Sequence, residues 1–363
     1  MRLAYINLVT SNFKGQSHSI LSKINLQAKV ARKLELPFDF YWLPKETNAE
    51  DDQYTYLNIK PVGGNSRLGI RFNQARAVNK LTNKYERVIL RYPLVDPLLF
   101  LLIRNKDRII LEHHTKELEE LQTTGDVRLQ FEKWLGGCWI KSFRALIAVT
   151  PEILEYEIKR SNFSGPTRFF PNSIDLDSYQ SFERIPSSKE EMPVQVVMVS
   201  TYFSKWQGLD ILLDQIEDNT DLPPFELHLA GKIDPDSLLR CKRQARIKYH
   251  ETLTSEQLFE LYQSMDLGIG SLAVTKKGMT QATALKVREY LAAGLPLVLN
   301  YDDPAIPKDF PYVLYQEQFN FRETLEFARQ HRATQGKIIR EAAIPLIDSK
   351  VVTGNLYEFC INT

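Results

Sequence analysis

Short apolar runs of strand length alternate with stretches of helical period along most of the chain. In the first half LAYINLV (3–9), FDFYWLP (38–44), RVILRYP (87–93), RIIL (108–111) and RALIAV (144–149) read as strands. They are apolar on consecutive positions, the pattern of parallel strands covered on both faces. Between them lie helical patterns. In HSILSKINLQAKVARKL, Ile20, Ile24, Ala28 and Ala31 make one stripe, an Asn-, Gln- and Arg-rich helix is expected over 67–83, and KELEELQ is acidic. Thr150-Pro151 has the form of an N-cap and first helical residue. A polar, proline-punctuated linker is expected at 178–193, and the alternation then restarts. VQVVMVS (194–200), FELHLAGK (225–232) and the end of QSMDLGIGSL read as strands, and GLDILLDQI (208–216) as a helix. Thr254 with Gln257 three residues later spells a capping box. Strands alternating with helices predict an α/β fold with parallel sheets, and the restart predicts two domains. Residues 301–335 read as mixed helix and loop, and the segment from 336 as helical until Lys350.

The most informative stretch is QATALKVREYLAAGLPLVLN (281–300). Ala284, Val287 and Leu291 form an apolar helical stripe, and Leu285 and Glu289 share the opposite face. Gly294 is placed to end the helix in a left-handed cap, Pro296 forbids its continuation, and LPLVL supplies a buried strand. A helix starting near 281–283 would offer free N–H groups and a partial positive charge to a phosphate, with Lys286, Arg288 and Glu289 on a rigid support. An amphipathic helix with ordinary surface charges fits the same pattern.

Composition adds bounds. The 363 residues suit two domains, and a hydrophobic share of 43% with 25% charged is that of a globular protein in water. Cys138, Cys241 and Cys360 are too scattered for a disulfide framework or a zinc motif, which fits a cytosolic setting. MRLAYINLVTSNFKGQ reads as strand and polar loop rather than a secretion signal. LVDPLLFLLI (94–103) is the most apolar run, and Asp96 and Pro97 break it. The net charge of +1 conceals an asymmetry: residues 1–170 carry 26 Lys and Arg against 18 Asp and Glu, the rest 20 against 27. A basic first half suits an anionic membrane surface or a phosphorylated acceptor, or its charges are simply scattered over solvated surface. No basic helix with interleaved aromatics points to nucleic acid.

Strand ends supply the remaining candidates, since open parallel sheets bind ligands at their carboxyl edge. Arg91 and Tyr92 end one strand, where Arg91 suits an acceptor phosphate or carboxylate, or a structural ion pair. Glu112, His113 and His114 end the next. Three readings stay open for them: a metal site, for which spacing offers too few further ligands; a structural Glu–His pair; and a polar contact to a sugar. Gly15 and Gln16 lie in the loop after the first strand, which lacks the spacing of a dinucleotide fingerprint. Gly231 ends a strand where backbone must turn sharply or approach a ligand closely. Asp175-Leu-Asp177 and Asp234-Pro-Asp236 both spell D-x-D, but neither ends a suitable strand, and both are read as coincidence.

K-V-R-E-Y-L-A-A-G-L-P-L-V resembles the nucleotide-binding helix of retaining glycosyltransferases of family 4. The likeness extends closely over about 195–300 and loosely over the first half, where Asn172-Ser-Ile-Asp175 resembles an interdomain Asn-Gly-Ile-Asp. It implies the GT-B fold: α/β, two facing Rossmann-like domains with an interdomain cleft. On this reading an acceptor-binding domain spans 1–178, a nucleotide-sugar-binding domain 179–335, and a tail from 336 to 363 returns to the first. The family's ribose-holding Glu matches Glu289, and its sugar-facing Glu, eight residues earlier, is Gln281 here. Its Glu-x-His maps onto Glu112 and His114, with the His near the donor sugar. Its loop basic residue, which clamps the donor diphosphate just before a glycine, falls on Gln207, so the charge is assigned to nearby Lys205. An ordinary exposed lysine is the competing reading.

The resemblance therefore implies a hexosyltransferase-type enzyme. His114, Glu112 and Lys205 would act at the reacting centre, and Gly15, Gln16, Lys205, Gly231, Gln281, Leu285, Lys286 and Glu289 would line the donor site. Arg91 and Tyr92 would meet the acceptor. The donor would be a nucleoside-diphosphate sugar, with no metal or other cofactor. The acceptor would be a saccharide or lipid-linked saccharide in polysaccharide biosynthesis, in the cytoplasm or at the inner face of a membrane. A nucleotide-sugar epimerase or phosphorylase of the same fold, and a sugar-binding protein without catalysis, are the alternatives.

Overall fold

The structure is a computed structural model of the chain. It describes residues 1–8, 16–47, 52–124, 126, 128–179 and 192–363; the side chains of 16–19, 123 and 124 are outside the description. Gly15 and most of the expected linker thus lie outside the described residues. The chain forms two compact units, Met1–Pro171 with Ser349–Thr363, and Asn172–Asp348.

The first unit contains β1 (Leu3–Leu8), α1 (Gln16–Lys33), β2 (Phe38–Leu43), β3 (Asn58–Ile59), α2 (Arg67–Lys84), β4 (Arg87–Arg91), α3 (Pro97–Leu102), β5 (Ile109–His113), α4 (Glu117–Thr124), α5 (Leu129–Lys141), β6 (Ala145–Ala148), α6 (Pro151–Ser161) and β7 (Thr167–Phe169). The strands pair in parallel in the order β3-β2-β1-β4-β5-β6-β7. The order reverses direction between β1 and β4, which makes that edge the topological switch point. Every residue of β1, β5 and β6 is buried, as the unbroken apolar runs require. Thr150 caps α6 by accepting from the Ile153 N–H at 3.2 Å, with Pro151 at the first helical position.

The second unit runs β8 (Val194–Tyr202), α7 (Leu209–Asp218), β9 (Phe225–Lys232), α8 (Pro235–Lys242), β10 (Ile247–His250), α9 (Ser255–Gln263), β11 (Leu267–Ile269), α10 (Leu285–Ala292), β12 (Leu297–Leu299), β13 (Val313–Tyr315), α11 (Phe321–Gln330) and α12 (Gly336–Ile347). Its parallel sheet has the order β10-β9-β8-β11-β12-β13, with the switch point between β8 and β11. Both halves of the Thr254–Gln257 capping box form. Asp234 accepts from the Ser237 N–H at 3.0 Å and Pro235 opens the helix, so this D-x-D is an N-cap. The segment expected to be mixed helix and loop contributes a sixth strand, β13, too short to show a period.

Three further readings change. The tail does not lose its helix at Lys350: α13 (Ser349–Asn362) runs nearly to the end and belongs to the first unit. Leu356 and Cys360 enter that unit's core, Phe359 stacks edge-on against Phe170, and the Arg144 Nε donates to the Thr363 carbonyl at 2.7 Å. Next, α10 starts at Leu285, later than expected, and Gln281 instead bridges to Asp302. Finally, Arg288 is not a surface charge: it is fully buried and ion-paired with Asp303.

Gly294 does adopt the left-handed conformation, at φ 78°. A Cβ there would lie 2.4 Å from the Gly336 backbone, so the position excludes a side chain both by conformation and by space. Gly294→Ala is expected to destabilise the second unit by about 2 kcal/mol or more, read as a lower urea midpoint with unchanged slope. An unchanged midpoint would show that the α10–α12 junction is not close-packed.

Candidate functional site

At the switch point of the second sheet, the loop after β8 and the loop after β11 are stitched together. The Leu272 N–H donates to the Gln207 carbonyl at 2.8 Å and the Ala273 N–H to the Trp206 carbonyl at 3.3 Å. Gly208, at φ 74°, lets the first loop turn into α7, and its missing Cβ would strike Leu272. The Gln207 side chain is buried, and its Oε1 accepts from Ser271 Oγ at 2.8 Å and from Lys286 Nζ at 2.6 Å. Lys286 also donates to the Val199 carbonyl at 3.2 Å. A single ammonium is thus held by two neutral oxygens at the carboxyl end of β8. Burial drives Lys286 down to about 7, against the pull of Glu289 upward.

Glu289 lies one turn along α10 from Lys286. The buried Tyr262 of α9 donates its hydroxyl to Glu289 Oε2 at 3.2 Å. Burial raises the Glu289 carboxyl, while Tyr262 and Lys286 draw it down. Leu285 opens α10 beside them, half-buried. The first turn of this helix carries no acidic residue and no side-chain cap, so its positive dipole end is open to an anion, although the Val287 N–H already donates to the Ala284 carbonyl at 3.2 Å. Gln281 donates from Nε2 to Asp302 Oδ2 at 3.2 Å, and Lys308 pairs with the same carboxylate at 2.7 Å.

Two other residues expected here are placed differently. Lys205 is exposed on a 3-10 turn and is not among the groups gathered around Gln207. The close backbone approach at Gly231, φ 122°, is made to Ser200 of β8: a Cβ would overlap the Ser200 carbonyl oxygen. Sequence reasoning missed Ser271 and Tyr262, although Gln207 was marked by its place before Gly208.

In the first unit a second polar cluster forms where β1, β4 and β5 end. Arg91 and Glu112 are register partners on adjacent strands. Glu112 accepts from the Tyr5 hydroxyl, His114 Nε2 lies 2.9 Å from Glu112 Oε2 at ion-pair distance but off the hydrogen-bonding line, and Lys23 Nζ is 3.3 Å from His114 Nδ1. Burial alone would raise the Glu112 carboxyl, but His114, Lys23 and Tyr5 hold it well below the usual carboxylate range. Burial and then Arg91 push His114 down to about 3, so it is neutral at pH 7. Burial lowers Lys23 to about 8. Tyr5 and Lys23 went unnoticed in the sequence; a Tyr on a fully buried strand was the available signal, since its hydroxyl needs a partner.

Tyr92, expected to meet the acceptor, is buried. Its hydroxyl donates to Glu132 Oε1 at 2.6 Å inside the unit, and its ring stacks on His113 at 4.4 Å. His113 belongs to this same interior group, 3.1 Å from Glu117 Oε2 through Nδ1. His113, Glu117 and Glu157 place one ligand atom each within 4.8 Å of one another. Arg160 occupies the other side of that group, donating to Glu157 Oε2 at 2.6 Å and to Glu132 Oε1 at 2.8 Å. A guanidinium there already supplies the positive charge that a metal would bring, so the group is a structural network.

No protein-family model matches the sequence, and no curated protein does either. Solved structures do match the whole chain. A glycosyltransferase from Rickettsia africae ESF-5 aligns with a TM-score of 0.68 at 12% identity, covering 100% of this chain and 99% of the other. The lipopolysaccharide outer core galactosyltransferase WaaB in its apo form aligns at 0.67 and 11%, with 100% and 99% covered. Anabaena Alr3699/HepE in complex with UDP aligns at 0.69 and 12%, with 100% of each chain covered. The chain therefore has the GT-B fold, two parallel-sheet α/β domains, and its structural neighbours are glycosyltransferases.

The Glu112 cluster carries a pH signature. Glu112 is held below its ordinary 4.5 and His114 below its ordinary 6.5, so both bind fewer protons folded than unfolded. Their stabilisation is complete above pH 6.5 and is lost as the pH falls, first through His114 and then, below about 4.5, through Glu112. Glu112→Gln is expected to cost on the order of 3 kcal/mol at pH 7 and to flatten the acid limb of stability against pH. Urea melts from pH 7 to 4 test this; parallel wild-type and variant curves would remove the buried carboxylate from the account.

Proposed function

We propose that the chain is a hexosyltransferase-type enzyme that transfers a sugar, with retention, from a nucleoside-diphosphate sugar to a saccharide or lipid-linked saccharide acceptor in polysaccharide biosynthesis. The observation that carries this reading is Lys286, held by Gln207 at the switch point of the second sheet, with Glu289 one turn away on the same helix. Lys286 and the first N–H groups of α10 meet the diphosphate, and Glu289 accepts from the ribose hydroxyls. The fold likeness supports the same donor class: HepE has been solved with UDP, with UDP and glucose, and with UDP-glucose.

In the reaction the bond from the anomeric carbon to the leaving phosphate oxygen breaks as the acceptor oxygen forms its bond on the same face. The departing phosphate oxygen takes the acceptor proton, so no protein nucleophile is needed. Lys286 and the helix amides hold the charge that develops on the leaving group, and their prior placement makes this effective. Glu112 and His114 are assigned the sugar-facing role that the family resemblance implies. His114 there is a neutral hydrogen-bonding group, its charging opposed by burial and by Arg91.

A second reading has its own observation. Gln207 and Gln281 are neutral where the family has a cation and a carboxylate, and the Gln281 amide is engaged by Asp302. A nucleotide-sugar-binding protein without turnover would show binding but neither transfer nor donor hydrolysis.

Calorimetry with UDP and GDP tests the site. One of the two is expected to bind the wild type, and Lys286→Ala to weaken it about 10- to 100-fold, the range for a hydrogen bond to a charged group. Glu289→Ala should weaken it about tenfold, and Lys205→Ala within twofold. Equal affinity in wild type, Lys286→Ala and Glu289→Ala would overturn the assignment.

The pH dependence is a separate check. A bound diphosphate favours the ammonium, so Lys286, near 7 in the free protein, takes up a proton on binding at pH 8. Affinity for a nucleotide sugar, whose diphosphate has no ionisation in this range, should fall as the pH rises from 7 to 9, by up to about tenfold per unit. A flat profile would mean that Lys286 is already charged without ligand.

A further inference from the structure

Among the described residues, three neighbouring helices of the first unit share a face that no other element covers. α2 is tied to α3 by the Arg71–Asp96 ion pair at 3.1 Å, Asp96 being the N-cap of α3. Arg71 is also an electrostatic neighbour of Arg67 and of Arg128, which opens α5. The other side of α3 faces α5, where Phe100 and Trp139 are 6.5 Å apart and the Val95 N–H donates to Glu132 Oε2 at 2.8 Å. The helices are therefore adjacent, and each turns large apolar side chains outward: Leu68 (71% exposed) and Phe72 on α2, Leu101 (74%) on α3, Phe131 and Trp134 (79%) on α5. Leu68 and Phe72 are four apart and Phe131 and Trp134 three apart, so each pair shares one helix face.

The charges around these side chains are mostly basic, with Asp126 already paired to Arg128 at 2.6 Å. The outer face of α2 continues from Leu68 and Phe72 to Arg76 and Lys80, both exposed. α2 holds Arg67, Arg71, Arg76, Lys80 and Lys84 and no acidic residue, and α3 has no charge at all. The C-terminal half of α2 is joined to the turn after α3 by Asn79, which accepts from the Arg104 N–H at 2.8 Å, and this brings exposed Arg104 alongside. Lys133 sits between Phe131 and Trp134. The acid of α5, Glu132, is buried against Tyr92 and Arg160, and the acid on the exposed turn after α3 is Asp107.

We propose that this face docks on an anionic bilayer surface. Leu68, Phe72, Leu101, Phe131 and Trp134 would enter the headgroup boundary, and Arg67, Arg76, Lys80, Arg104 and Lys133 would meet lipid phosphates. The chemistry fits a membrane better than a protein groove. The apolar groups are separate protruding tips ringed by basic residues, with an indole among them, and both are what an interface between water and acyl chains takes up. Each Lys or Arg near such a surface strengthens the attraction by roughly severalfold, and salt screens it. The inference does not rest on the nucleotide site, which lies in the other unit. No helix among the described residues is long and apolar enough to cross a membrane, so contact would be peripheral.

Flotation of the full chain with vesicles tests the proposal. Phosphatidylcholine vesicles with a third phosphatidylglycerol are expected to carry the wild type, pure phosphatidylcholine vesicles to leave it behind, and 0.5 M salt to release it. Trp134 is the exposed one of the four tryptophans, so its emission should shift to the blue on binding. Leu101→Ser with Trp134→Ala, and separately Arg76→Glu with Lys80→Glu, should each reduce binding at least tenfold while nucleotide affinity stays within twofold. The charge-reversal pair keeps the apolar surface and guards against misfolding of the first variant. Equal binding to neutral and anionic vesicles, or undiminished binding by the charge-reversal variant, would overturn it. So would a concentration-dependent dimer that the same substitutions dissolve, which would assign the face to a second copy of the chain.

Discussion

A guanidinium with no access to water fixes the geometry of the second unit. Arg288 is fully buried; it pairs with Asp303 through two nitrogens and donates from Nε to the Asn172 carbonyl at 2.8 Å. Taking both ions out of water is costly, so the pair tolerates little displacement once formed. Asp303 is itself held by the Ala305 N–H at 3.2 Å. With Arg288 pinned, α10 cannot roll. Val287, Tyr290 and Leu291 stay buried, the Tyr290 hydroxyl accepts from the Val199 N–H at 3.1 Å, and its ring fills the space left by Gly268. Lys286 lies about 200° around the helix from Arg288, so fixing one directs the other toward the carboxyl end of β8.

The same economy of charge shapes the first unit. Two groups of buried ionisable side chains sit back to back along β5, because Glu112 and His113 are successive strand residues and point to opposite faces. One face gathers Tyr5, Lys23 and His114 around Glu112. The other gathers Glu117, Glu157, Glu132 and Arg160 around His113 and Tyr92. Burial pushes Tyr5, Lys23, Glu112 and His114 on one face, and His113, Glu117, Glu157, Arg160 and Tyr92 on the other, toward their neutral forms, and a partner in the same cluster restores the charge on those that keep it. Neither cluster tolerates loss of a single member easily, which distinguishes them from the exposed ion pairs such as Lys276–Asp210.

How much of this the sequence shows depends on how far apart the partners lie. Strands of a sheet covered on both faces must be apolar at successive positions, so β1, β6 and β8 are visible without any long-range information. The caps at Thr150 and Thr254 and the left-handed Gly294 are equally local. Side-chain roles that rest on distant partners are not. Tyr92 stands at a strand end, where ligands bind, yet its hydroxyl finds Glu132 on a helix 40 residues on. Arg288 looks like a surface charge until Asp303, beyond the next strand, is brought beneath it. Lys205 is near Gln207 in sequence, whereas Lys286, 79 residues away, is near it in space. Spacing can place a residue on a helix; it cannot say which neutral oxygen waits for it.

That last contrast bears on how the diphosphate would be held. A loop cation beside a glycine projects from flexible backbone and keeps its own solvation. Lys286 instead rises from a helix that cannot turn, and it spends the unliganded state on Gln207 Oε1 and the Val199 carbonyl. Both are neutral acceptors, so they orient the ammonium without satisfying its charge. An anion arriving at the end of α10 would find the cation already aimed and only partly solvated, and would gain more from it than from an exposed lysine. A carboxylate at position 207 would have neutralised Lys286 in advance, and a second cation there would have driven it further toward the neutral amine. A neutral acceptor such as this amide orients Lys286 without cancelling its charge.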